Sequence, residues 1–576
     1  MDKIKILTEK HSFINDTIFK LKTYLLTGNR MLKNILYPVM KFDFNSKLIH
    51  NPIISKSESE LWNPFDNNEN WILTAGKIEN LRIAAKKING IEVKANEIFS
   101  FWKHIGNPNF GKRYVIGREI REGCIVPTIA GGLCQLSNAL YDAALNANFE
   151  IVERHKHTKV IKGSLAEQNR DATVKWNYLD LRFKSSFDFR IEVVLTSDKL
   201  IVYFKSIQKN KIVSDNIIEF KQSNKLNDCY SCGNLACYKH NDRSSLKNDI
   251  ETTTYILDEK WPEYETYINE HAKPSDNYIF SVKKNRLVNS NRYTWFKNKP
   301  INARTTQFQG LFRFFYSRYA QKIKKNSFET SLVLDKKIAF AAAKKINIDS
   351  THLVISQNLL PFIYETGVLG GRTFDVLMTR LPFEFLHENL NNAFNNYPES
   401  KTLNDFRAPK KLIELENNAL NKARYIITPH SEIAKIFNNK VIKLNWHIPN
   451  QTKLNFRGNK ILFPASALGR KGAYEIKRLA KELNLNISVL GNAIEYENFW
   501  EDIKTEKFNG NFEEIGLVIY PTFIENQPRQ LLKVISNQII VITTPSSGID
   551  ASEKVKIVNI NDYDNLKSVV KEFLEN

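Results

Sequence analysis

Short apolar segments that alternate with helical stretches dominate the sequence after about Lys247. They are THLVIS, ARYIITP, KILFPAS, NISVLG, IGLVIYP and QIIVITTP. Strands that are apolar on both faces and are joined by helices are typical of parallel sheets whose faces are both covered. The pattern therefore predicts a doubly wound α/β architecture for this half of the chain, with ligands bound at the loops that follow the strands.

The first half of the chain has a different texture. A length of 576 residues is too great for one hydrophobic core. After a basic leader over residues 1–70, residues 71–210 show an α+β pattern, with a helix (GKIENLRIAAKKING) followed by strands such as FRIEVVLTS and KLIVYFKS. A polar stretch with several cysteines follows over residues 221–247, so we predict a multidomain protein.

The chain is strongly basic, with 83 Lys and Arg against 62 Asp and Glu and a formal net charge of +21. Such a charge suits an anionic substrate or a membrane surface. Lys, Asn and Ile are over-used together, as in AT-rich genomes, and no dense basic block indicates a nucleic-acid partner. The N-terminus lacks the features of a signal peptide, and no run of about 18 apolar residues occurs. We therefore expect a cytoplasmic protein, with peripheral contact at the inner membrane face as a further expectation.

Cys134 is the first candidate for chemistry. It follows a glycine pair in GGLCQLSNALYDAAL, where the apolar residues after it recur at helical spacing. A cysteine at the start of a helix lies near unpaired amides, and both these amides and the helix dipole favour the thiolate. Cys124, in REGCIVP, follows no such signal. The alternative for Cys134 is a small buried core residue, since free cysteine is often buried.

Partners for a thiolate follow along the chain. His155 and His157 in EIVERHKHT would share one face of a strand, and Asp171 opens the next strand in DATVKW. A nucleophile, a base and an orienting carboxylate in this order could form a catalytic group. The order resembles that of papain-like and transglutaminase-like cores, with spacing nearer to the latter. A hydrogen-bonded cluster without catalytic function is the alternative.

Several separated blocks in this region resemble the VanW family, named from vancomycin-resistance gene clusters of bacteria. They are GKIENLRIAAKKING, EIFSFWKHIG, GGLCQLSNALYDAALNANFEIVERHKHT and DATVKWNYLDLRF, and together they cover about residues 70–210. The resemblance implies a role at the cell envelope, and it supports a working site at Cys134 and the two histidines. The family's usual run of three glycines begins here with Ala130.

A cysteine cluster lies between the two halves. In DCYSCGNLACYKH, the potential ligands are Cys229, Cys232, Cys237 and His240. Four soft ligands at this spacing suit tetrahedral zinc. We predict a structural zinc site, with an iron–sulfur cluster or unliganded cysteines as the alternatives.

Three loops of the C-terminal half carry candidate ligand-binding residues. The loop after KILFPAS contains Gly469, Arg470 and Lys471, placed to clamp a diphosphate. A second strand, in NISVLGN, ends at Gly491. A third region contains Glu525 after the strand in IGLVIYP. A solvated surface loop is the alternative for the basic turn.

The order of these motifs resembles the retaining GT-B glycosyltransferases. The resemblance implies an acceptor domain over residues 250–448 and a donor domain over residues 449–576, both of Rossmann type. It also implies that Arg470 and Lys471 hold the donor diphosphate and that Glu525 meets the sugar. The turn at Ser547 and Gly548 would lie near the same cleft.

One residue departs from that pattern. The family usually has a second glutamate eight residues after the first, and this chain has Lys533 there. A lysine cannot accept hydrogen bonds from ribose hydroxyls. Either the donor is held differently, or this half binds without transferring.

The first prediction is a glycosyltransferase that moves a sugar from a nucleotide donor to a cell-envelope glycan or lipid-linked acceptor. The alternative is a cysteine-dependent hydrolase or transferase that acts through Cys134 on a peptide or amide, with the C-terminal half only binding glycan. A third interpretation is a binding protein in which neither half is an enzyme.

Overall fold

The computed structural model describes residues 13–575 except 64–65, 67, 112–113, 122–123, 157–167, 177, 209–251, 283–291, 297–299, 301, 324–325 and 451–457. The chain divides into two compact units. The first unit comprises residues 1–252, 347–351 and 367–372, and the second comprises residues 253–346, 352–366 and 373–576.

Antiparallel strands and helices build the first unit. Its strands are β1 (Ile53–Glu60), β2 (Ile91–Val93), β3 (Phe99–Ser100), β4 (Ile116–Arg121), β5 (Cys124–Ile129), β6 (Glu150–Glu153), β7 (Arg182–Lys184), β8 (Phe189–Leu195) and β9 (Lys199–Lys205). Its helices are α1 (Phe13–Leu36), α2 (Asn68–Ile88), α3 (Phe101–Ile105) and α4 (Leu133–Asn146). The sheets have the orders β1-β9-β8-β2 and β3-β7-β6, and β4 and β5 form a hairpin.

Helix α4 supplies much of the core of this unit. Its buried apolar side chains recur at helical spacing, as the sequence pattern predicted, and include Leu136, Leu140, Ala143 and Ala144. The sheet also extends before the boundary predicted at residue 71, because β1 pairs antiparallel with β9. The leader therefore contributes an edge strand.

Two parallel sheets form the second unit. The strands of the first sheet are β10 (Thr252–Leu257), β11 (Asn277–Phe280), β12 (Ala303–Thr305), β13 (Ser350–Ser356), β14 (Thr373–Leu377), β15 (Ile426–Thr428) and β16 (Val441–Lys443). Those of the second sheet are β17 (Lys460–Phe463), β18 (Ile487–Val489), β19 (Thr505–Lys507), β20 (Ile515–Tyr520), β21 (Ile540–Thr543) and β22 (Val555–Ile557). The helices are α5 (Pro262–His271), α6 (Gln307–Lys322), α7 (Ser327–Ala343), α8 (Leu360–Glu365), α9 (Phe383–Asn396), α10 (Lys410–Lys422), α11 (Ser431–Ile436), α12 (Ala473–Leu483), α13 (Arg529–Ser536) and α14 (Tyr563–Glu575).

Both sheets are doubly wound. Their orders are β12-β11-β10-β13-β14-β15-β16 and β19-β18-β17-β20-β21-β22. In each sheet the chain starts in the middle, moves to one edge, and then crosses back to fill the other side, which is the Rossmann order. The α/β architecture expected from the apolar segments is thus confirmed, with two Rossmann-type sheets in one unit as in a GT-B fold. Ligands of such sheets bind beyond the carboxyl ends of the strands, where the order reverses.

Among the helices in the described part of the chain, none is long and apolar enough to cross a membrane.

Candidate functional site

The predicted basic turn lies at the carboxyl end of β17. Residues Gly469–Lys471 form a 3₁₀ turn, and Gly472 follows with a φ of +84°. A side chain at Gly472 would overlap the carbonyl oxygen of Pro521, which belongs to the loop after β20. The turn can lie this close to that loop only because residue 472 is glycine. The carbonyl oxygen of Arg470 accepts a hydrogen bond from the amide of Phe523 at 3.1 Å. The two loops predicted to share a crevice therefore lie side by side.

An ion pair joins these two loops. Lys471 Nζ lies 2.9 Å from Glu525 Oε2, and the Tyr520 hydroxyl donates to the same oxygen at 2.5 Å. Burial alone would raise the pKa of Glu525, but the charge of Lys471 and the Tyr520 hydroxyl outweigh it and lower the pKa. Glu525 is therefore a carboxylate at neutral pH, within reach of a cation.

Arg470 also faces a carboxylate. Its Nη1 lies 3.0 Å from Asp405 Oδ2, and its guanidinium stands 5.1 Å from the ring centre of Phe406. Its side chain keeps 18% of its surface exposed. In this structure both predicted phosphate ligands thus pair with acids, and a diphosphate would have to take the place of those acids.

The backbone of the turn is already hydrogen-bonded. The amide of Gly469 donates to Glu495 Oε2 at 2.9 Å, and a side chain at Gly469 would overlap Ser400 Oγ. Glu495 also accepts hydrogen bonds from Ser400 and Thr402. The amide of Gly469 is therefore engaged by a buried carboxylate, whereas the side chains of Arg470 and Lys471 are partly exposed and can bind an anion by exchanging their carboxylate partners. Sequence reasoning missed Glu495, although NAIE follows the apolar strand in NISVLG.

The turn at Ser547 and Gly548 packs against His430. Ser547 is buried and donates to the Thr544 carbonyl at 2.8 Å, and a side chain at Gly548 would overlap the His430 ring. His430 Nε2 lies 3.3 Å from the Ser546 carbonyl oxygen, whereas its buried Nδ1 has no hydrogen-bond partner. Burial lowers the pKa of His430 to about 4, so the ring is neutral near pH 7.

Helix α13 carries the residue that departs from the glycosyltransferase pattern. Lys533 Nζ stands 4.8 Å from the ring centre of Phe512. One turn earlier, Arg529 makes two bonds to Glu263, from Nη1 at 2.6 Å and from Nη2 at 2.7 Å. Glu263 begins α5 next to the first sheet, so this pair links the two Rossmann-type sheets.

A cavity of about 630 Å³ opens at the carboxyl edge of the first sheet. Residues that directly follow its strands line it, together with residues of α6 and α7 and with Asn526 from the loop after β20. They include Asp258, Ser281, Arg313, Asp335, Arg380, Phe406 and Asn526. Asn526 is adjacent to Glu525, and Phe406 lies beneath Arg470. The cavity thus reaches the loops of the second sheet.

A buried charge cluster forms part of the cavity wall. Arg313 bonds Asp258 Oδ1 at 2.6 Å and Asp335 Oδ1 at 2.7 Å. Burial raises the pKa of Asp335 to about 7, while the charge of Arg313 opposes the shift. The Nε of Arg313 is buried without a hydrogen-bond partner. No sequence motif indicated this cluster, because its members are far apart in the chain.

In the first unit, Cys134 lies in the first turn of α4. Gly132 precedes the helix with a φ of +98°, and a side chain there would overlap Lys77. Cys134 is partly buried, and its Sγ lies 3.8 Å from the Val174 carbonyl oxygen. The structure therefore places this thiol at a helix N-terminus, beside the segment that follows Asp171.

The predicted partners of Cys134 lie in neighbouring segments. The His155 carbonyl accepts a hydrogen bond from the Thr173 amide at 2.8 Å, so their backbones adjoin. The His155 ring Nε2 lies 3.0 Å from Glu153 Oε1, and this carboxylate was not among the predicted residues. Asp171 is buried, and its carbonyl accepts from Arg154. His157 lies outside the described residues.

Sequence reasoning also missed Lys77. It is buried, its Nζ donates to the Leu61 carbonyl at 2.6 Å, and burial moves its pKa well below the ordinary value of a lysine. Lys77 stands in GKIENLRIAAKKING, where an inward lysine breaks the apolar pattern. That interruption was the available signal.

Among the described residues, no group of three or more His, Cys, Asp or Glu side chains could hold a metal ion. The predicted zinc ligands Cys229, Cys232, Cys237 and His240 lie outside those residues. The zinc site stays a prediction that the structure does not support.

Part of the first unit is similar to known proteins. Residues 76–205 match the family described as VanW like protein. The Vancomycin B-type resistance protein VanW of Enterococcus faecalis is 32% identical over 138 residues, which are 23% of this chain and 49% of that protein. The protein YoaR of Bacillus subtilis is 34% identical over 109 residues, or 19% of this chain and 35% of its own length. The chain spans about half or less of the curated relatives that it matches.

Solved structures are similar to the other part of the chain. The lipopolysaccharide outer core galactosyltransferase WaaB in its apo form has 9% identity and a TM-score of 0.31, over 56% of this chain and 90% of that one. Alr3699/HepE of Anabaena, solved in complex with UDP and glucose, has 12% identity and a TM-score of 0.30, over 57% and 90% of the two chains.

Proposed function

We propose that this chain, which carries a VanW-like domain over residues 76–205, uses its second unit to transfer a sugar from a nucleotide donor. The cavity next to the loops that follow β17 and β20 supports this proposal. Its walls combine the carboxyl edge of the first sheet with Asn526 and Phe406, which adjoin Glu525 and Arg470. A donor at the loops and an acceptor in the cavity would thus meet at one place, as a two-substrate transfer requires.

The cations of the basic turn have the chemistry that the leaving group needs. As the sugar departs, negative charge grows on the nucleoside diphosphate, and preorganised cations stabilise that charge. The carbonyl of Arg470 accepts hydrogen bonds from the neighbouring loop, and Lys471 Nζ donates to the Ile524 carbonyl of that loop at 3.0 Å. Both side chains keep part of their surface exposed. We assign the diphosphate to these two side chains.

Glu525 would then change partner. When Lys471 pairs with the diphosphate, the Glu525 carboxylate becomes available to accept hydrogen bonds from sugar hydroxyls. Tyr520 and the amide of Gln527 keep the carboxylate in place through their own hydrogen bonds. In this proposal the ion pair between Lys471 and Glu525 opens when the diphosphate binds.

The acceptor in this proposal is a cell-envelope glycan or a lipid-linked precursor. The cavity offers both aromatic rings and charged groups, as Phe406 and Arg313 illustrate. Aromatic faces and hydrogen-bonding groups together suit a sugar ring, which has apolar faces and polar edges.

Calorimetric titration with UDP, GDP and ADP tests the donor assignment. We expect one nucleotide to bind the native chain, and Arg470→Ala and Lys471→Ala to weaken it at least about tenfold, since each removes a charge-assisted contact. Lys477→Ala is the matched control, because Lys477 lies on the adjacent helix and pairs with Asp502 at 3.7 Å. Equal loss in all three variants, or no loss in the first two, would refute the assignment.

A second candidate function is supported by the environment of Cys134. The thiol lies at a helix N-terminus and contacts the Val174 carbonyl. The neighbouring Thr173 amide donates to the His155 carbonyl, and the His155 ring pairs with Glu153. We propose, as the alternative, a cysteine-dependent hydrolase or transferase that acts on a peptide or amide, with the second unit binding glycan.

Alkylation rates test that alternative. Iodoacetamide at neutral pH, followed by peptide mapping, should label Cys134 faster than Cys124 if a nearby imidazole promotes the thiolate. His155→Ala should then slow the labelling of Cys134. Equal rates for the native chain and His155→Ala would remove the histidine from the proposal.

A further inference from the structure

Helix α1 presents its apolar face to solvent. Six of its exposed large apolar side chains recur at intervals of three, four or seven residues along one side, and they are Leu21, Tyr24, Leu25, Leu32, Ile35 and Leu36. Met31 borders this stripe, whereas Leu26 is exposed on the side of Arg30. Soluble proteins rarely leave a contiguous apolar surface of this kind uncovered. Something other than water is therefore expected to cover it.

The opposite face of the helix makes the contacts with the first unit. Arg30 forms an ion pair with Glu153, and Asn34 accepts a hydrogen bond from Arg182 at 2.8 Å. Residues four apart lie on one side of a helix. At about 100° per residue, Leu32 and Ile35 lie roughly 140–160° around the helix from Arg30. Helix α1 is thus attached through polar side chains, the reverse of an ordinary surface helix.

The charge of this segment is one-sided. Residues 21–41 contain Lys22, Arg30, Lys33 and Lys41 and no aspartate or glutamate. Lys22 and Lys33 are exposed and flank the apolar stripe on the same side. Helix α1 as a whole carries Lys20, Lys22, Arg30 and Lys33 against the single acid Asp16, so a second copy of it would bring mostly like charges together. An anionic lipid surface supplies the complementary charge.

We propose that α1 is an interfacial helix that docks the first unit on a bilayer containing anionic lipids. Its apolar side chains would enter the boundary between headgroups and acyl chains, while its lysines stay with the phosphates. Tyr24 and Tyr37, both exposed, suit the headgroup level. The inference does not depend on sugar transfer, because none of its residues belongs to the second unit.

Co-sedimentation of the full chain with lipid vesicles tests the proposal. We expect binding to phosphatidylcholine vesicles that contain about 30% phosphatidylglycerol, and much weaker binding to pure phosphatidylcholine. Raising the salt concentration should reduce the electrostatic part of the binding. Lys22→Glu combined with Lys33→Glu should weaken binding at least about tenfold, since each lysine contributes roughly a fivefold effect near an anionic surface.

A matched pair of variants separates insertion from general hydrophobicity. Ile35 is 75% exposed and Ile207, elsewhere in the same unit, is 74% exposed. We expect Ile35→Glu to lower the vesicle partition coefficient at least about tenfold, because it places a charge where an apolar side chain should insert. Ile207→Glu should leave the coefficient unchanged. Both sites are exposed in water, so both variants should melt like the native chain.

Three results would overturn the inference. One is the absence of sedimentation at excess vesicle. Another is equal binding by Ile35→Glu and the native chain. The third is a dimer, measured by light scattering, that Ile35→Glu dissociates, because a second copy would then be what covers the helix.

Discussion

The pair between Arg529 and Glu263 gives the sharpest test of how the two sheets of the second unit are held together. Arg529→Met removes the cation from the Glu263 carboxylate, whose side chain is 0% exposed, and leaves it with backbone amides such as that of His447 at 2.8 Å. Breaking a buried pair by removing one partner typically costs about 3–5 kcal/mol. We take the lower end, since Arg529 is itself 30% exposed.

This cost converts into a melting shift. Unfolding entropy is about 2.1 cal/mol/K per residue, so a unit of roughly 300 residues has about 0.6 kcal/mol/K at its midpoint. A loss of about 3 kcal/mol should therefore lower Tm by about 5 °C in differential scanning calorimetry of the full chain.

The effect should depend on pH. Burial opposes ionisation of Glu263, but Arg529 and the His447 amide outweigh it and lower the pKa below its ordinary value of 4.5. A carboxylate with a lowered pKa contributes stability that is present above pH 4.5 and is lost as the pH falls through its folded pKa. The difference in Tm between Arg529→Met and the native chain should thus be largest near pH 7 and shrink below about pH 4.

The double variant Glu263→Met with Arg529→Met provides the control. Replacing both members of a buried pair with apolar side chains is often nearly neutral, so the double variant should regain at least half of the lost Tm. A single variant within about 1 °C of the native chain, or a double variant less stable than the single one, would refute the reasoning.

Three further predictions concern backbone strain and a buried histidine. Gly472→Ala should destabilise the second unit by several kcal/mol, because the new methyl group overlaps Pro521. Gly510 has a similar φ of +94° but lies in open space, so Gly510→Ala should lower the free energy of unfolding by only about 1 kcal/mol. Urea titration measures both changes. Ala130 has a φ of +61°, a left-handed conformation that favours glycine, so Ala130→Gly should raise Tm by roughly 2 °C. Burial lowers the pKa of His430 from about 6.5 in the unfolded chain to about 4 in the folded chain. The free energy of unfolding should therefore fall by roughly 3 kcal/mol between pH 6.5 and pH 4. His430→Asn should reduce this dependence of Tm on pH.

The sequence predicted those features that depend on local pattern and on general rules of sheet topology. Apolar segments joined by helices indicated parallel sheets, and the carboxyl ends of β17 and β20 brought Lys471 to Glu525 because neighbouring parallel strands end at one edge. The edge strand β1 was missed because IISKSESE is mostly polar, although its serines Ser55 and Ser57 are buried together with Ile54.

Contacts between distant segments could not be predicted in this way. The packing of α6 and α7 on the sheet brings together Asp258, Arg313 and Asp335. The spacing of these residues in the sequence does not indicate that they are in contact. His155 likewise pairs with Glu153, two residues earlier at the end of β6, whereas we had expected Asp171 as its partner. The nearer carboxylate was visible in the sequence, but the sequence pattern did not show that it contacts the ring.

The central claim is that the turn at Arg470 and Lys471 and the loop at Glu525 form one site for a sugar nucleotide. A thermal-shift measurement of the full chain with UDP-, GDP- and ADP-sugars tests it most directly, since a ligand that binds only the folded state raises Tm. We predict that one nucleotide class raises Tm by several degrees at saturating concentration, and that Lys471→Ala abolishes the rise. No rise with any of the three classes, or an equal rise in Lys471→Ala, would contradict the claim.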